Sequence, residues 1–115
     1  MESDSIIKLN VGGQIFQTCV HTLTKYEGSM LCAMFSYTKN GLTPMPKTNE
    51  GHFFLDADPE YFRIVLNWLR MGQIIAEEPT VLKGVLALAN YFGLQDLMEE
   101  LNVIQRNNTT PSPPR

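Results

Sequence analysis

The chain has 115 residues and a mass of 13.0 kDa, the size of one domain and not of two. Its hydrophobic share of 43% excludes a chain disordered throughout, and its charged share of 18% falls below the usual ~25%. A lean charge complement implies that some surface is covered by something other than water. The net charge of −3 and pI of about 5.3 exclude the basic face that nucleic-acid phosphates require. Two cysteines, Cys19 and Cys32, cannot build a disulfide framework. The opening MESDSIIKLN carries neither the basic region nor the apolar stretch of a secretion signal. No apolar run approaches the ~20 residues of a membrane-spanning helix. The expectation is a cytoplasmic chain with free thiols and no membrane insertion, the nucleus being the second compartment compatible with it. In that setting the Asn-x-Thr matches at Asn107 and Asn108 are chance.

Ile7, Leu9 and Val11 alternate with Lys8 and Asn10, the period of a half-buried strand. Gly12-Gly13 separates this run from a second β-rich one, Gln14 to Val20, and so predicts a tight hairpin. Thr22 and Ser29 are candidate N-caps for two short helices, the second placing Leu31, Met34 and Phe35 on one face. Residues 36–51 read as a long polar loop, and His52 to Asp56 as a short strand.

Asp58-Pro59-Glu60 combines a capping carboxylate, a proline at the first helical position and an acid in the first turn. The helix it opens carries Phe62, Val65, Leu66 and Leu69 as its buried stripe and stops at Gly72. Tyr61, Ile64 and Trp68 widen that stripe, so this helix is central to its domain. Gln73-Ile74-Ile75 is at most a brief strand. A further helix opens at Glu77-Glu78-Pro79-Thr80 and stops at Gly93, and Leu94, Leu97, Met98 and Leu101 mark a last short one. The expected organisation is a disordered stretch over residues 1–5, one domain over 6–105 and a disordered Pro-rich tail over 106–115. The expected fold class is α+β, a small β-sheet flanked by a majority of short helices.

The residues for chemistry are sparse. Cys19 and His21 lie two apart, while Cys32 and His52 are remote from them, and none has the tight spacing of a zinc site. No nucleophile elbow or phosphate loop is present, and Gly12-Gly13 is explained by the hairpin. Glu77-Glu78 and Glu99-Glu100 sit near helix ends, where solvation or the helix dipole accounts for them. Lys25, Lys39, Lys47, Arg63, Lys83 and Arg106 form no basic stripe. An enzyme, a cofactor and a resident metal are therefore not expected. Protein–protein interaction is the class that survives.

Several segments in order carry a resemblance. Ile7-Lys8-Leu9-Asn10-Val11-Gly12-Gly13, Phe16, Thr18, Ser29-Met30-Leu31 and Met34-Phe35-Ser36 come first. Phe54 to Pro59, Phe62, Ile64 to Gly72 and Ala89 to Leu94 follow. Together, over about residues 6 to 102, the chain resembles the potassium-channel tetramerisation type of BTB/POZ domain, and the KCTD proteins more than channel subunits. The resemblance implies a non-catalytic, self-associating domain that forms closed rings of four or five subunits. It implies subunit contacts near Asn10, Phe16, Asp56, Asp58 and Arg70. It also implies an adaptor role in a ubiquitin ligase with cullin-3 as partner; the apolar Phe35 and Tyr37 at the end of the second short helix and Leu42 in the loop after it are the expected contacts. The alternative it implies is a cytoplasmic tetramerisation domain of, or a regulatory subunit for, a potassium channel or receptor.

Three departures from that family pattern stand in this chain. Ala57 replaces the arginine of Phe-x-Asp-Arg-Asp, and the family's histidine-plus-cysteines zinc pattern is missing. The hydrophobic-x-Glu pattern of many cullin-binding relatives is replaced by the stretch Tyr37 to Pro46.

Overall fold

A computed structural model describes residues 6–39 and 47–108, with the backbone alone for residues 37–39 and 108. Strands β1 (Ile6–Val11) and β2 (Gln14–Cys19) form the expected hairpin, pairing antiparallel from Ile6↔Cys19 to Val11↔Gln14. Gly12 and Gly13 have φ of +56° and +104°, the sign a two-residue hairpin turn demands at both positions. Gly12 has a second reason to be glycine. A Cβ there would overlap the Ala57 carbonyl oxygen and press on Pro59.

The chain passes from β2 straight into a single turn, α1 (Val20–Leu23), and then α2 (Met30–Lys39). Ser29 caps α2 as expected, its Oγ accepting from the Cys32 N–H at 3.0 Å and donating to the Tyr26 carbonyl at 2.7 Å. Thr22 is not a cap. It lies inside α1, where Cys19 is the N-cap residue and makes no side-chain capping bond. The strand that precedes α1 leaves no room for a separate capping turn.

Strand β3 (Phe53–Leu55) pairs in parallel with β1 through Leu9↔Phe53 and Val11↔Leu55, giving the sheet order β2-β1-β3. Helix α3 (Pro59–Met71) follows, with Asp58 Oδ1 accepting from the Glu60 N–H at 2.8 Å and Gly72 left-handed at φ +75°. Gln73 to Ile75 form no strand. Helices α4 (Pro79–Phe92) and α5 (Gln95–Asn108) complete the fold. At 14 residues α5 is as long as α4 and runs on through Arg106 and Asn107, into the stretch read as tail.

One core unites these elements. Leu9, Val11, Phe53 and Leu55 from one sheet face join Phe62, Val65, Trp68, Leu82, Val85, Phe92, Leu97 and Leu101. Phe62 is its hinge point, meeting Phe16 edge-on at 5.2 Å and Phe92 at 6.3 Å. Trp68 stacks on Tyr26 at 4.7 Å and donates its indole N–H to Glu100 Oε1 at 3.2 Å. Burial pushes the Tyr26 phenol above its ordinary value, and the nearby Asp96 and Glu100 carboxylates push the same way. Lys25 donates to the Leu69 carbonyl at 2.9 Å, satisfying a C-terminal carbonyl of α3 from 44 residues away. Gly84 lets α4 lie against α3, since a Cβ there would fall within the Tyr61 ring.

Candidate interaction surfaces

Side chains alternate across a strand, so the register assigns each residue of the sheet to a face. Leu9, Val11, Phe53 and Leu55 face the helices and are buried. The opposite face carries Ile6, Lys8, Asn10, Ile15, Gln17, Cys19 and Phe54. Asn10 there pairs with Ile15 on one side and Phe54 on the other, a row across all three strands. Ile6 is 65% exposed and Ile15 46%. Among the described residues, no element covers this face. Sequence reasoning missed Ile6, Ile15 and Phe54, although the period-2 alternation that puts Leu9 inward puts Ile6 outward.

The predicted contact residues fall into two groups. Asn10, Asp56 and Asp58 gather at the hairpin end, because the Gly12 N–H donates to the Leu55 carbonyl and Gly12 abuts Ala57. Asn10 has a local task there, its Oδ1 accepting from the Gly13 N–H at 2.7 Å. Asp58 is occupied as the α3 cap. Asp56 is exposed, and its carboxylate makes no hydrogen bond or ion pair among the described residues. The second group lies along β2. Arg70 donates to the Gln17 carbonyl at 2.8 Å and thereby ties the end of α3 to that strand. Phe16 is half-buried between Phe62 and the Arg63 guanidinium, 5.6 Å from its ring centre.

The proposed cullin contacts divide differently. Phe35 has 0% exposure and meets Phe53 edge-on at 5.9 Å, so it is a core residue and offers a partner nothing. Its place at i+4 from the buried Leu31 dictates this. Tyr37 lies in α2 with its side chain outside the described residues, as does the whole of Leu42. Cys19 and Cys32 are half-buried and form no disulfide, and Cys32 Sγ lies 3.5 Å from the Thr24 carbonyl oxygen. Among the described residues no three His, Cys, Asp or Glu side chains group as metal ligands, and no helix is long and apolar enough to cross a membrane.

A small mixed sheet with one face packed under helices and the other open is the α+β architecture of this domain. Residues 7–101 match the family model for the BTB/POZ domain, and the chain belongs to that family, in its potassium-channel tetramerisation type. It is 41% identical over 106 residues to the mouse BTB/POZ domain-containing protein KCTD9, covering 91% of this chain and 31% of that protein. The human KCTD9 protein matches at the same identity with 27% of its length covered. The human KCTD21 protein is 38% identical over 96 residues, covering 83% of this chain and 35% of that protein. The chain thus spans about a third of the length of these relatives.

Proposed function

We propose that this domain closes into a homo-oligomeric ring of four or five copies and serves as a cytoplasmic or nuclear adaptor that holds cullin-3 at the ring's outer edge. Domains of this family generally self-associate and act as interaction domains, not enzymes. The observation that carries the reading is the uncovered sheet face with its row Ile15, Asn10 and Phe54. Burying one isoleucine side chain fully contributes about 1.5–3 kcal/mol, so leaving Ile6 and Ile15 in water forgoes a gain that a second copy supplies. Identical subunits related by rotation make heterologous contacts, which close when the angle permits. A ring repeats its outer edge, so a modest affinity per edge becomes high avidity.

Mass measurement in solution tests the ring directly: several copies of the 13.0 kDa chain are expected, and a monomer overturns it. Titration with cullin-3 tests the adaptor role. Binding is expected for the wild type and lost in a Tyr37→Ala, Leu42→Asp double variant that keeps its mass. The replacement of the hydrophobic-x-Glu pattern by Tyr37 to Pro46 favours a second reading, regulation of a channel or receptor. A wild-type ring that ignores cullin-3 selects that second reading.

A further inference from the structure

The link between α3 and α4 carries a surface that neither the core nor the open sheet face uses. Residues 73–77 run without turn or bend from the left-handed Gly72 toward the start of α4. Their burial alternates: Gln73, Ile75 and Glu77 are exposed, while Ile74 and Ala76 are half-buried against the core. Period-two alternation is the habit of a β-strand, yet this segment has no strand beside it. The Gly72 N–H before it is bound to the Trp68 carbonyl, and the Glu78 carbonyl after it to the Leu82 N–H. Between them, no backbone N–H or carbonyl of residues 73–77 makes a hydrogen bond among the described residues. An unpaired row of main-chain donors and acceptors is a template on which another chain can add a strand.

Beside this segment lies an open hollow of about 300 Å³ between α3 and α4, with Ile64, Ile75 and Val81 as its apolar lining. Ile75 remains 53% exposed there. Glu60, Glu77 and Glu78 also line the hollow, are exposed, and form no ion pair among the described residues. Glu78 is the N-cap residue of α4 but its side chain makes no capping bond. The one cation in the lining, Arg63, is turned to the Phe16 ring, 5.6 Å from its centre. Apolar side chains flanked by uncompensated carboxylates match a strand that alternates apolar and basic residues, and repel an acidic one.

We propose that residues 73–77 are a docking edge for an extended, basic segment of a different protein. The segment adds one strand to this edge, seats an apolar side chain against Ile75 and Val81, and sets lysines or arginines beside Glu77 and Glu78. A second copy of this chain fits less well, because it brings its own Glu77 and Glu78 to the same edge with no lysine between Gln73 and Glu78 to offset them. The inference does not rest on the ring reading, which concerns the open face of β1, β2 and β3.

A fluorescein-labelled heptapeptide alternating lysine and valine is the probe, and fluorescence anisotropy the readout. Saturable binding to the wild-type chain is expected. Glu77→Lys combined with Glu78→Lys changes two exposed positions, so circular dichroism and mass in solution should stay as they are. This double variant is expected to bind the lysine–valine peptide at least tenfold more weakly and to prefer a glutamate–valine one. Main-chain pairing is read separately, because alternate residues of a strand turn their N–H groups to opposite edges. Methylating the valine nitrogens in one peptide and the lysine nitrogens in another should cost at least tenfold in one and little in the other. A wild type that ignores the lysine–valine peptide overturns the proposal. So does a double variant that binds it as tightly as the wild type, or an equal loss from the two methylation patterns. A double variant of lower mass than the wild type overturns it as well, since a second copy then holds the edge.

Discussion

The two faces of the three-stranded sheet are written in the same three short strands and solved in opposite ways. Toward the helices, Leu9, Val11, Phe53 and Leu55 are at most 6% exposed and join the core the helices line. Away from them, Ile6 and Ile15 remain in water beside Asn10 and Phe54. One face is completed within the chain. The other stays open among the described residues, and it is the face that the proposed ring would use.

The sharpest test of that contrast removes Phe62, where Phe16 and Phe92 converge. Phe62→Ala is expected to cost about 3–5 kcal/mol by denaturant unfolding, a large part of a domain's ~5–15 kcal/mol. A loss below 1 kcal/mol would mean that the packed face is not the one that holds the fold. Asp58→Ala should cost about 1 kcal/mol if the residue serves only as the α3 cap. A variant of unchanged stability that nonetheless dissociates would move Asp58 to the open face's side of the ledger.

Tyr26 gives a pH signature of the packed side. Its folded pKa is raised above the ordinary 10.0 by burial, then by Asp96 and Glu100. The stability this represents is complete below pH 10.0 and is lost as pH rises through the folded value. Tyr26→Phe is therefore expected to flatten the fall in melting temperature above pH 10.0; an unchanged slope would remove Tyr26 from the explanation. The smallest effect on stability is expected for Ile15→Lys on the open face, within about 0.5 kcal/mol for the dissociated chain. Its assembled mass should fall all the same. If stability drops by several kcal/mol instead, the two faces are not independent.

What the sequence disclosed follows from range. The Gly12-Gly13 turn and the α3 boundaries at Asp58 and Gly72 depend on residues a few positions apart, and all were readable. Ser29 was readable for the same reason, and Thr22 misled because a Ser/Thr cap signal takes no account of a strand ending one residue too late. Contacts between distant segments were not readable. Nothing local announces that β3 pairs with β1, that Lys25 reaches the Leu69 carbonyl, or that Tyr61 needs Gly84 to be glycine. The candidate site suffered most. Asn10 and Asp58 proved to have local tasks, Phe35 proved to be core, and the outward isoleucines were passed over because an exposed apolar residue is unremarkable singly.

The parallel pairing of β1 with β3 has a consequence for how this domain tolerates change. Leu9 meets Phe53 directly, so everything between them is one closed loop pinned at both ends. The entropy of closing such a loop grows only with the logarithm of its length, about 0.6 kcal/mol per doubling. A few residues added to a flexible loop of this span cost a few tenths of a kcal/mol at most. Inserting four glycine or serine residues after Asn40 should leave the melting curve nearly unchanged. A chain pinned this way can vary in length between its two pairing segments while the register of the sheet stays the same.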